Sequence, residues 1–85
     1  MNQRAAMDDT MILARQRGMP LLPGETIGLE HLSAMYMTVS MAEASNNTFS
    51  DAKLGRWLGW MQACIVAAGC ATLEEMKEIN WRHAD

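Results

Sequence analysis

Three features of the sequence predict an all-α fold. No stretch alternates apolar and polar residues as a strand would, apolar residues recur at three- and four-residue steps, and capping motifs open two of those stretches. The expected architecture is a small bundle of three to four helices, built on one long central helix and paired with a second copy. Residues 1–85 make a single helical domain, divided into an N-terminal helix plus Pro/Gly linker (1–28) and a helical core (29–85).

The first helix is expected over 2–17, a run without glycine or proline that stops at Gly18 and Pro20. Met7, Met11 and Ala14 supply its apolar stripe, blurred by Ile12 and Leu13. Residues 18–28 hold two prolines and three glycines, which excludes regular structure. Leu21, Leu22 and Ile27 are expected to lay this linker against the domain. The second helix, about Leu29 to Ala44, presents Leu29, Leu32, Met35, Tyr36 and Val39 on one face. Ser45-Asn46-Asn47 ends it by offering local side-chain hydrogen bonds.

Thr48-x-x-Asp51 resembles a capping box and places the third helix at about 49–68, with Asp51 favourable in its first turn. Leu54, Trp57, Leu58, Met61, Ile65 and Ala68 form its large apolar stripe. Gly69 suits the left-handed position after the last turn. Thr72-x-x-Glu75 is a second capping box, opening a short helix to about Arg82 with Leu73, Met76 and Ile79 inward and Trp81 at the rim.

Beside the large stripe of the third helix lies a ridge of small residues, Gly55, Gly59, Ala63 and Ala67. Residues four apart share a helix face, so a second helix can lie unusually close along them. Two glycines inside a helix cost roughly 1 kcal/mol each relative to alanine, a loss that close packing can offset. An 85-residue core is marginal alone. Ridge and length together predict a homodimer joined through this helix.

Composition narrows the function. Apolar content of 49% argues against disorder, and ten acids against seven bases leave no basic stripe for nucleic acid. Nine methionines serve as gap fillers in a small core or as adaptable contacts on a partner surface. Two cysteines, Cys64 and Cys70, make no disulfide framework. Residues 1–17 carry Arg4, Asp8, Asp9, Arg15 and Arg17 with no apolar signal region. The longest apolar stretch, interrupted by Arg56 and Gln62, is too short for a bilayer. The expected setting is the cytoplasm, without membrane contact.

Catalytic and metal chemistry find little support. His31, His83, Cys64 and Cys70 show no zinc-type spacing. Cys64 falls in the apolar part of the third helix, where a thiol acts as a small hydrophobe. Glu74, Glu75 and Glu78 are explained by the dipole of the last helix. The expectation is a non-enzyme without cofactor, metal or catalytic residues. A helix-turn-helix DNA reader fits poorly: Ile65 stands where a small residue should precede the turn glycine, Glu75 where an apolar one should follow, and three carboxylates would face phosphates. Partner surfaces remain. Trp57 shares the main stripe and reads as core. Trp60 lies on a neighbouring strip with Lys53, Arg56 and Cys64, where it is either an edge residue of the core or an interface anchor. Arg56, Trp60 and Trp81 are the candidate partner interface.

The block Lys53-Leu54-Gly55-Arg56-Trp57-Leu58-Gly59-Trp60-Met61-Gln62, followed by Thr72-Leu73-Glu74-Glu75-Met76-Lys77-Glu78-Ile79-Asn80, resembles a module of small uncharacterised proteins of tailed bacteriophages and prophages. The likeness covers residues 48–83 and transfers no site residue. It implies an early or accessory phage protein in the host bacterial cytoplasm. Such a protein would bind a host or phage protein and modulate it, possible targets including bacterial defence systems. The alternative is a self-assembling structural or regulatory helical module with no host partner.

Overall fold

The computed structural model describes residues 1–22 and 27–85. Among them the chain forms four helices and no strand: α1 (Gln3–Gln16), α2 (Leu29–Ala44), α3 (Asp51–Ala67) and α4 (Leu73–Arg82). Of the linker expected over 18–28, residues 23–26 lie outside the described residues.

Local chemistry sets the helix ends. Asn2 caps α1 by accepting from the Ala5 N–H at 3.0 Å. No side chain caps α2; the carbonyls of Pro20 and Leu21 accept from the N–H groups of Leu29 (2.7 Å) and Glu30 (3.1 Å). This wrap needs glycine at 28, because a Cβ there would stand 2.6 Å from the Pro20 oxygen and 2.8 Å from the Leu22 Cβ. Main-chain bonds and the buried Met19 hold the segment; Leu21 and Leu22 stay exposed, and Ile27, also exposed, stands beside α3 across a cleft from Trp60.

The third helix starts at Ser50, whose hydroxyl accepts from the Lys53 N–H at 3.2 Å, and not at Thr48. Phe49 therefore precedes the cap, and its ring meets Trp57 edge to face at 4.7 Å. After Ala67 the chain turns through Gly69 at φ +74°, with Cys70 N–H donating to Ile65 O and Gly69 N–H to Val66 O, the paired bonds of a Schellman ending. The Thr72/Glu75 capping box is formed in full.

The helix at the centre is α1, not the longer α3. It packs against each of the other three, and Ala6, Met7, Thr10, Met11 and Ala14 are all buried. Its small and flexible side chains suit a helix enclosed on three sides. Thr10 can be buried because its hydroxyl donates to the Ala6 carbonyl at 2.8 Å. The core thus draws on residues 1–19 as well as on 29–85.

Around α1, the expected stripes face inward with three exceptions. Leu32 and Val39 of α2, Leu54, Leu58, Met61 and Ile65 of α3, and Met76 and Ile79 of α4 are buried, while Leu29, Met35, Tyr36 and Trp57 are half-buried against them. Ala68 and Leu73 are exposed, and Trp81, expected at the rim, is 85% exposed.

Polar side chains fix the crossings. Gln62 Nε2 donates to Asn80 Oδ1 (2.8 Å) and to Thr10 Oγ1 (3.3 Å), while Asn80 Nδ2 donates back to Gln62 Oε1 (3.1 Å), joining α1, α3 and α4. Between α1 and α2, Arg4 stacks 4.5 Å from the Tyr36 ring centre and binds Asp8, Ser40 and Glu43. The Tyr36 hydroxyl donates to Asp8 at 2.5 Å. Burial opposes the Arg4 charge, but its bonds to Glu43 and Tyr36 outweigh that and hold its pKa above the ordinary value. No helix among the described residues is long and apolar enough to cross a membrane.

Candidate protein-interaction surfaces

The small-residue ridge of α3 divides in two. Gly55 is half-buried beneath α1: a Cβ there would stand 2.5 Å from Gln3 Oε1. Around Gly59 no described atom apart from its chain neighbours and the local helix backbone lies within 4 Å of where a Cβ would be, and Ala63 and Ala67 are exposed. Packing within the chain therefore accounts for Gly55 and for none of the other three.

Next to that open part stand Arg56 and Trp60. Trp60 is 46% exposed and held in place, its Nε1–H donating to His31 Nε2 at 2.9 Å with the rings edge to face. With Ile27 it walls an apolar cleft of about 290 Å³ floored by Ala63, Cys64, Ala67 and Ala68. Arg56 is exposed and makes no ion pair among the described residues. Lys53, by contrast, is folded back over the Phe49 ring at 4.1 Å.

Trp81 occupies a different surface. It projects from α4 beside Met1, Lys77 and Ala84, at a broad cleft of about 760 Å³ that shares no lining residue with the Trp60 cleft. The structure thus joins Arg56 and Trp60 to the outward part of the ridge and leaves Trp81 apart. A third exposed apolar strip, Met37 and Met41 on α2, was not singled out from the sequence. Its signal was available, since α2 carries apolar residues on both sides and no charged residue from Ser33 to Ala42.

Several titratable groups are engaged structurally. His83 Nε2 lies 2.7 Å from Asp9 Oδ2, which Arg82 also approaches at 3.4 Å. Arg17 clasps the Glu75 carboxylate, which also accepts from the Thr72 N–H; these bonds, the Arg17 one foremost, bring the Glu75 pKa down to about 2. Burial pushes the Cys64 thiol up, and Cys70 is half-buried and free. No three His, Cys, Asp or Glu side chains among the described residues converge in a way that could hold a metal ion. Compared with known proteins, the chain matches no family model, no curated protein and no solved structure.

Proposed function

We propose that this chain is a non-enzymatic accessory protein of a tailed phage or prophage that binds a host or phage protein in the bacterial cytoplasm and modulates it, a defence complex being one such target. The setting rests on the resemblance over residues 48–83. The binding role rests on Trp81: an indole 85% exposed on a helix that packs inward through Met76 and Ile79 adds little to the core, and tryptophan is among the side chains most often found anchoring an interface. Glu74, Lys77 and Glu78 around it supply the polar rim such anchors carry.

The test is affinity capture from bacterial lysate with the full chain, wild type against Trp81→Ala. A stoichiometric protein should be retained by the wild type and lost with Trp81→Ala, whose melting temperature should stay unchanged because an exposed side chain holds little folding energy. Equal capture by both proteins, or none by either, overturns this reading. The self-assembling module is the second reading, favoured by the uncovered face of α3.

A further inference from the structure

We infer that α3 pairs antiparallel with α3 of a second copy, across a two-fold axis near Ala63, with each Trp60 entering the cleft of the other chain beside Ala67. This stands independently of any partner at Trp81. Arg56, Trp60, Ala63 and Ala67 are separated by four, three and four residues, the spacing of a helix-pairing seam, and none of the four is buried. Helix α4 shows what this chain turns toward water: Glu74, Lys77 and Glu78. Arginine alone brings charge to the α3 seam.

Shape selects a second copy as the occupant. Trp60 projects, half-exposed, from one wall of the cleft, and the hollow runs along the same seam over Ala63 to Ala67, its far end seven residues from Trp60. In an antiparallel pair centred between positions 63 and 64, position 60 of each chain faces position 67 of the other. Projection then meets hollow twice, as a two-fold interface requires. A parallel pair would set Trp60 against Trp60 and Ala67 against Ala67. The His31 bond already holds the indole at one edge of the cleft, so less freedom is lost on docking.

Charge agrees with shape. The last turn of α3 carries no basic residue, and the guanidinium that reaches the turn beyond it, Arg17 on the Cys70 carbonyl at 3.2 Å, is neutralised by its clasp on Glu75, which leaves the negative end of the α3 dipole open to a further cation. The antiparallel pair brings Arg56, which has no ion-pair partner among the described residues, past Ala67 of the other chain to that end. The two Arg56 residues sit 15 positions apart along the seam, about 22 Å at 1.5 Å per residue, too far to repel strongly at ordinary salt.

Sedimentation equilibrium of the full chain at tens of micromolar should give about twice the 9.5 kDa chain mass. Ala63→Glu, at an exposed position, should be monomeric with an unchanged helical spectrum, and Trp60→Ala should weaken association about thirtyfold or more. Thr38→Glu, on the outer side of α2, should leave the dimer intact. With Cys64 and Cys70 replaced by alanine, Ala63→Cys should oxidise to a linked dimer and Ala52→Cys should not, whereas a parallel pair would link both. A wild type that is monomeric throughout, a dimer indifferent to Ala63→Glu and Trp60→Ala, or equal linking at 52 and 63 overturns the inference. Should Ala63→Glu lose its helical signal, the Trp60→Ala and linking results decide.

Discussion

Replacing Gln62 with alanine tests how three helices are locked together. The Gln62 side chain is buried, and both its amide atoms are committed: the nitrogen to Asn80 and Thr10, the oxygen to Asn80. Losing the two shorter bonds removes about 1 kcal/mol each, and the truncated side chain leaves a void worth about 1 kcal/mol more. Asn80 is only half-buried, so water can reach it and the penalty for stranding it is small. The expected loss is about 3 kcal/mol, a large share of the stability of a domain this size. At about 4–8 °C per kcal/mol for a short domain, the midpoint should fall by about 12–24 °C. Urea titration at one fixed protein concentration, followed by circular dichroism, measures it without interference from association. A cycle with Asn80→Ala and the double variant should show a coupling of about 1–2 kcal/mol. Additive effects, within about 0.5 kcal/mol, would mean that the paired amides do not act as one lock.

Two further substitutions and one titration probe other parts of the structure. Gly59→Ala in the monomeric Ala63→Glu background should stabilise by up to about 1 kcal/mol, since a Cβ there meets no described atom; a lower melting point would refute this. Gly55→Ala should gain less, because the new Cβ must displace the Gln3 amide, whose Nε2 donates to Asp51 O at 3.0 Å. Glu75, with a folded pKa of about 2 against 4.5, stabilises the protein fully above pH 4.5 and loses that contribution as pH falls toward 2. Wild type should therefore melt above Glu75→Gln at pH 7, and the gap should close on acidification; a gap that persists at pH 2 excludes the Arg17–Glu75 linkage.

Punctuation made much of the fold legible. Prolines and glycines before Leu29, and Ser45-Asn46-Asn47 after Ala44, bound α2 as expected, and the Gly69 turn and Thr72/Glu75 box stand where their side chains dictate. Periodicity could not reveal which helix lies at the centre, because it reports which face is buried and not how many neighbours cover it. It also passed over Thr10 and Gln62, which are polar by type and buried only because each finds its bonds on another helix or one turn back. Thr48 failed as a cap for a local reason: Ser50, two residues on, offers the same hydroxyl and leaves Phe49 free to meet Trp57. Among the candidate interface residues, spacing grouped Arg56 and Trp60 correctly on one strip. It could not tell that Trp81, on another helix, opens onto a separate cleft.

The two glycines of α3 need separate explanations, and the difference between them bears on what the helix is for. A mid-helix glycine costs roughly 1 kcal/mol relative to alanine wherever it stands. At Gly55 the chain itself supplies a neighbour, since a Cβ there would stand 2.5 Å from the Gln3 amide oxygen and the Gln3 side chain would have to move aside. At Gly59 no described atom comes near, so the cost has no return within a single chain. Ala63 and Ala67, also exposed, continue the same smooth surface, where a helix facing only water would gain solubility from charged residues. One contact outside the chain would answer all three positions together: a helix passing close enough that anything larger than glycine or alanine would hold it off.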